Sequence, residues 1–339
     1  MRIEQIDPVS DEAALRTCHE LIVSGQSEDD PNVPALSFGM FRGHWAYGFA
    51  GDPRQVWLAT SDAGVPVGCY LLELPEQENR ANAFGYPVVG RAARRRGAGT
   101  ALLSHLAGQA ERAGRSLLVS GCRTGSPGDA FARAVGARPD LQDARRVLDL
   151  GPELAPRLRE LRAEAEPRAA AYTLRRWTGP APEDLVDGVA AVASAMEDAP
   201  HESGVEPLVW DAERVRKADE CAALQGVRWY SIAAIHMATS EMAALTQAGV
   251  DPDVDEWGFQ EITAVTRPHR GHRLGLLVKI AMLEWLAAAE PQLHRMVTYN
   301  AVQNDHMIGV NSQLGNRVSD YFQNFEMDVA AARKLMPGG

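Results

Sequence analysis

Hydrophobic and polar positions along the chain run through helical and extended periods, and the same order of periods occurs twice. The first pass opens with an extended run at 2–6, followed by helical spacing over about 12–23 and around 33–45. Strand-like runs at 55–60, 65–73 and 83–89, broken by turn signals such as Asp62-Ala63-Gly64, predict an antiparallel meander. A helix over about 99–113 then places Leu102, Leu103, Leu106 and Ala110 on one face, ahead of an apolar strand at 116–120 and a short helix near 129–135. The second pass has a strand at 172–177, helical spacing at 183–196 and strands near 228–235, 241–247 and 257–266. A long helix at 275–289, a strand at 294–298 and a short helix at 305–314 complete it. Arg94 and Gly136 are 42 residues apart and Arg270 and Gly315 are 45 apart, so the spacing supports an internal duplication. Between the passes, residues 152–170 are rich in Arg, Glu and Ala and carry Pro156 and Pro167, which reads as a charged linker helix. The predicted organisation is a domain at 1–151, a linker at 152–170 and a second domain at 171–339.

A length of 339 residues suits two domains with cores of their own, and 45% hydrophobic with 23% charged residues is a globular composition. The net charge of −11 argues against a nucleic-acid surface. That acidity is concentrated beyond residue 150, where the balance is −9 against −2 before it. The first residues lack an apolar core, so no signal peptide is expected. The most apolar helix, 274–289, is interrupted by Lys279 and Glu284, which argues against a membrane span. Four scattered cysteines (Cys18, Cys69, Cys122 and Cys221) form no CxxC pair, and a reducing cytoplasm fits best.

Two basic, glycine-bearing loops occupy the same place in the two passes, between a strand and an amphipathic helix. They read Arg94-Arg95-Arg96-Gly97-Ala98-Gly99 and Arg270-Gly271-His272-Arg273-Leu274-Gly275. A helix start exposes unpaired N–H groups and the positive end of its dipole, and glycine lets an anion approach the main chain, so such loops suit a pyrophosphate. There is no GxxxxGK followed by Ser or Thr, and Leu102 stands where the dinucleotide fingerprint needs a glycine.

Strand, Arg-x-x-Gly-x-Gly, helix, strand and a short helix ending in glycine resemble the acetyl-CoA-binding core of the GNAT N-acetyltransferase superfamily. The motif is complete at Arg94, Gly97 and Gly99, while Arg273 replaces the middle glycine of the second copy. With Thr298-Tyr299-Asn300, Asn304 and the 311–315 segment, the second half is similar to the C-terminal domain of tandem GNAT proteins, a group that includes mycothiol synthase. The resemblance implies an α/β fold of two tandem GNAT-like domains, each a mixed, mostly antiparallel sheet with splayed central strands flanked by helices. It further implies acetyl-CoA as co-substrate, held by both loops together with Thr100, Val265, Asn300, Asn304 and Asn311. Acyl transfer would go by direct attack of a small-molecule amine.

Such a reaction must deprotonate an alkylammonium with a pKa near ~10 and protonate a thiolate. Glu261, nine residues before Arg270, is the candidate base, and a desolvated carboxylate there would carry a raised pKa. The first half's fourth strand offers only Tyr86 as an ionisable group, which favours the second domain as the catalyst. The usual acid tyrosine is replaced by Ala132 and Asn311, leaving Tyr299 or Tyr321 as substitutes. Glu197, Asp198, Glu202 and Glu206 form an acidic stretch after the second domain's first helix. Asp198 and Glu202 are accordingly candidate contacts for a cationic amine, with a second acidic run at 251–256. His269 and His272 sit among arginines, which disfavours a metal. A non-catalytic acyl-CoA binder and a transferase of longer acyl groups use the same loops. The assembly is left open, a homodimer included.

Overall fold

The computed structural model describes residues 1–52, 54–200 and 202–335. In chain order the elements are β1 (Arg2–Ile6), α1 (Glu12–Asp29), α2 (Phe38–Tyr47), β2 (Arg54–Thr60), β3 (Pro66–Glu73), β4 (Asn82–Val89), α3 (Ala98–Arg112), β5 (Leu117–Arg123), α4 (Pro127–Ala134) and β6 (Arg138–Asp149). They continue with α5 (Leu154–Ala165), β7 (Tyr172–Thr178), α6 (Val186–Met196), α7 (Ala212–Leu224), β8 (Arg228–His236), β9 (Met242–Val250), β10 (Trp257–Val265), α8 (Leu274–Ala289), β11 (Arg295–Ala301), α9 (Asp305–Leu314), β12 (Arg317–Asp328) and α10 (Val329–Arg333).

The chain divides into two compact units, neither of them continuous. The first comprises 1–143, 202–206 and 321–339, and the second 144–201 and 207–320. The expected boundary at 151 is thus displaced. Residues 152–170 are no free linker, since α5 and the turn after it bury Leu158, Ala165 and Ala169 in the second core. Two strands went unread in the sequence. β6 and β12 carry Arg145, Gln323 and Asn324 at positions where a period-2 pattern would show apolar residues. Arg145 is wholly buried and pairs with Asp320 inside the second unit, an ion pair that conceals a strand from any hydropathy pattern.

In the first unit β1 to β4 form the meander, and Phe322–Asp328 of the returning C-terminal strand pair antiparallel with β5. One face carries Leu102, Leu106 and Ala110 of α3 against Tyr70, Leu72 and Ala83. The other carries Leu15, Cys18, Phe41 and Trp45 of α1 and α2 against Val56, Cys69 and Leu71. The second unit repeats the plan with α8 on one face of β7 to β11 and α6 and α7 on the other.

Both sheets open at the same place. β4 and β5 pair in parallel from Asn82↔Leu117 to Phe84↔Val119 and then separate, although β4 continues to Val89 and β5 to Arg123. Likewise β10 and β11 pair from Trp257↔Arg295 to Phe259↔Val297, after which β10 runs on to Val265. Each unit therefore holds a wedge that points toward its basic loop.

Candidate functional site

The two loops share one backbone. A 3₁₀ turn (Arg91–Ala93 or Arg267–His269) leads into an extended arginine, Arg94 at φ −63, ψ 152 and Arg270 at φ −68, ψ 157. Two left-handed residues follow, two positions apart: Arg95 (φ 61) and Gly97 (φ 82) in one loop, Gly271 (φ 87) and Arg273 (φ 57) in the other. The glycine has changed places. Each loop holds one non-glycine residue in a conformation that costs about 1 kcal/mol, so the replacement of the middle glycine by Arg273 leaves the path of the chain intact.

Gly97 and Arg273 are the N-caps of α3 and α8, and neither helix has a side-chain cap. The first helical bonds run from Ala101 to Gly97 and from Leu277 to Arg273, so the N–H groups of 98–100 and 274–276 have no partner within the helix. These donors, the left-handed turns before them and the exposed Arg95 and Arg96 form a cradle for a phosphate group.

Arg94 and Arg270 brace the loops from behind. Arg94 donates from Nε to the Val89 carbonyl (3.2 Å) and forks onto Asp29 at 2.7 and 3.1 Å. Arg270 donates to the Val265 carbonyl (3.2 Å) and to Asp198 (2.5 Å), which Arg267 also holds. Asp198 is thus the counterpart of Asp29 and is committed to the loop. Its two arginines, Arg267 foremost, hold its carboxyl well below the usual range. Arg273 reaches Glu164 and Gln313, and His272 bonds the His269 carbonyl. Replacing Asp29 by Ala frees Arg94 and should weaken acyl-CoA binding by the first unit about tenfold in calorimetry, consistent with charge-assisted bonds of ~1.5 kcal/mol or more. An unchanged affinity would show that the brace is dispensable.

The first wedge carries more chemistry than the sequence reveals. Tyr86 lies on β4 just beyond the last β4–β5 pair, on the face that packs α1 and α2. Burial, with Glu73 and Glu202 adding to it, pushes its phenol pKa upward. Glu73 ends β3, and burial raises its carboxyl against the opposing pull of Arg54 at 3.0 Å. Burial likewise raises Asp143, with Glu202 contributing. The Asn324 amide donates to Glu202 at 2.8 Å and to Asp143 at 3.2 Å, bridging the two carboxylates.

Glu202 is held there by the segment that follows it. Ser203 N–H donates to Asp140 (2.7 Å), Gly204 N–H to Glu326 (2.9 Å) and Glu206 N–H to Asn79 (2.6 Å). A Cβ on Gly204 would press on the Glu326 carboxylate and lie 2.7 Å from Leu117, so a larger residue has to displace both side chains. Glu202 therefore belongs to the first unit, although its place in the chain pointed to the second. Glu73, Asp143 and Asn324 were missed: Glu73 reaches Tyr86 from the neighbouring strand β3, whereas only the exchange of β6 and β12 brings Asp143 and Asn324 there.

The second wedge is sparer. Glu261 falls within a β-bulge between Gln260 and Thr263, where β10 holds one residue more than β9. Its side chain reaches solvent, yet the surrounding protein desolvates it and raises its pKa. Ile262 and Ala264 pack toward α6, while Val265 packs toward α8. Tyr299 is half exposed on β11, whereas Tyr321 lies in the first unit. Asn311 is fully buried and donates to Asn300 at 2.6 Å, which places it behind any ligand surface. Asn304 uses its side-chain carbonyl to cap α9 at Met307. Asp251 is buried and accepts from the Asp253 amide in a tight turn. His269 bonds the Tyr172 hydroxyl at 2.9 Å, and His272 packs on the same ring. Burial pushes the Cys122 thiol up to about 11, unlike an activated nucleophile. Among the described residues no group of His, Cys, Asp and Glu side chains is placed to hold a metal ion, and no helix is long and apolar enough to cross a membrane.

Residues 19–127 match the model of the acetyltransferase (GNAT) family. A tandem GNAT protein from the clavulanic acid biosynthesis pathway, solved without acetyl-CoA, superposes with a TM-score of 0.79 at 24% identity, over 97% of this chain and 98% of that one. A GCN5-related N-acetyltransferase from Sphaerobacter thermophilus gives 0.64 at 14% identity, over 97% and 95%. No curated protein sequence shows significant similarity.

Proposed function

We propose that this chain, which matches the GNAT family over residues 19–127 and has the fold of a tandem GNAT protein, moves an acetyl group from acetyl-CoA to the amine of a small cationic metabolite, with the first unit as the catalyst. The observation that carries this reading is the convergence, in that unit, of an open wedge, an uncapped helix start and a phenol with three carboxylates on one face.

Acyl-CoA supplies an activated thioester. The N–H groups of residues 98–100, with Arg95 and Arg96, hold its diphosphate, and the gap between β4 and β5 admits its pantetheine arm. Asp143 and Glu202 add negative charge to the wedge face, where Glu73 is already paired with Arg54, and that charge draws an alkylammonium and favours its encounter at low ionic strength. Transfer forms a C–N bond and breaks the C–S bond. The proton leaving nitrogen goes to Glu202, directly or through water, while Asn324 fixes the carboxylate. Tyr86, kept protonated by burial, is the donor on the wedge side for the departing sulfur. In the second unit Glu261, with Tyr299, occupies the corresponding role, but it lacks the surrounding carboxylates.

Thiol release measured over a panel of small amines tests the proposal. Glu202→Gln should lower kcat/KM by 10²–10⁴, the usual range for a lost general base, while leaving acetyl-CoA affinity within about twofold. Full activity in Glu202→Gln together with its loss in Glu261→Gln would move the chemistry to the second unit. No release with any amine would favour an acyl-CoA binder without turnover.

A further inference from the structure

α8 is apolar along its inward face except at its sixth residue, Lys279, which is only 4% exposed. The lysine lines a cleft with Gln260, Val297, Thr298, Leu314 and Asn316. Phe259↔Val297 is the last register pair of β10 and β11, so this cleft lies at the apex of the second wedge. No carboxylate lines it, and among the described residues no hydrogen bond or ion pair engages the amine. The Gln260 NH2 donates to Thr246 and to main-chain carbonyls, so the polar groups that line the cleft beside the lysine, Gln260, Thr298 and Asn316, are neutral and supply no counter-charge. Burial alone lowers the lysine's pKa to about 7.

Packing does not demand this lysine. The sixth residue of α3, at the same place in the first unit, is Leu103, which fills the equivalent position as part of an ordinary core. A buried amine without a counter-charge is unfavourable, and the fold shows in its own duplicate how to avoid it. The missing partner is an anion that reaches the apex through the open wedge, and the group that enters a wedge of this kind is the acyl end of the thioester.

We infer that the second unit takes an acyl-CoA whose acyl chain ends in a carboxylate, of the succinyl or glutaryl class, with the Lys279 ammonium as its counter-ion. The inference rests on the reading that this unit binds acyl-CoA, and it assigns the two wedges different acyl groups.

Calorimetry of the full-length chain carrying Gly99→Trp, which disables the first loop, reads the second site alone. Succinyl-CoA should bind at least tenfold more tightly than acetyl-CoA, and Lys279→Met should abolish that preference. In the unsubstituted chain at pH 8, succinyl-CoA binding should take up close to one proton, seen as a dependence of the binding enthalpy on the buffer's ionisation enthalpy. Acetyl-CoA should take up almost none. This second readout stands even if a variant folds poorly. Equal affinity for the two thioesters with no proton uptake overturns the carboxylate inference and leaves the coenzyme reading intact. Binding of neither overturns both.

Discussion

Replacing Gly99 by tryptophan should remove acyl-CoA from the first unit, with a loss in affinity of about 100-fold or more and a halved stoichiometry in calorimetry. A Cβ at this position already lies 3.2 Å from the Phe131 ring and 3.6 Å from Val89, so a bulky side chain has to lift the first turn of α3. The N–H groups of 98–100 then lose their common aim. Two charge-assisted bonds of roughly 1.5 kcal/mol each suffice for the predicted effect. The corresponding change at Gly275 meets only Val265, at 3.6 Å, and should be milder. A Gly99→Trp chain that binds two equivalents of acetyl-CoA would mean that the helix start is not the phosphate site.

The second large effect concerns stability. Lys279 has a pKa lowered from 10.5 to about 7, so between those values the unfolded chain binds more protons than the folded one. The stability of the unsubstituted protein should therefore rise with pH from 7 to 10.5 through this group. The burial penalty is complete at pH 7 and below and vanishes above 10.5. Lys279→Met, which keeps the volume and removes the charge, should stabilise the protein by roughly 3–5 kcal/mol at pH 7, given 1.36 kcal/mol per pKa unit, and by almost nothing near pH 10.5. Denaturant titrations at the two pH values measure the difference. No gain at either pH would show that the lysine is charged and satisfied in the fold.

Much of the site can be read in the sequence because a phosphate loop is local. Its arginine, its glycines and the start of its amphipathic helix lie within six residues, and the duplication doubles the signal. Even the exchange of Gly97 for Arg273 preserves the loop, since Arg95 and Gly271 exchange in the opposite sense. Lys279 is also visible as a charge inside an apolar helix, although sequence alone gives it no meaning beyond arguing against a membrane span.

The acceptor side is not local. Glu73, Tyr86, Asp143, Glu202 and Asn324 come from five separate stretches, and their meeting depends on two strands that cross between halves. Those strands carry a buried Arg145 and bonded amides, which hide their extended character from a hydropathy pattern. Asp198 and Glu202 are four residues apart yet serve different units, one as a loop brace and one on a wedge face. Proximity in sequence misassigns such a pair, because the chain changes partner between them.

A calorimetric titration of the intact chain with acetyl-CoA, repeated with a Gly99→Trp and Gly271→Trp double variant, probes the twin cradles most directly. Saturable binding that disappears in the double variant, with the fold retained by circular dichroism, is the predicted result. Binding that persists with both helix entrances blocked, or no binding by the intact chain, would contradict it.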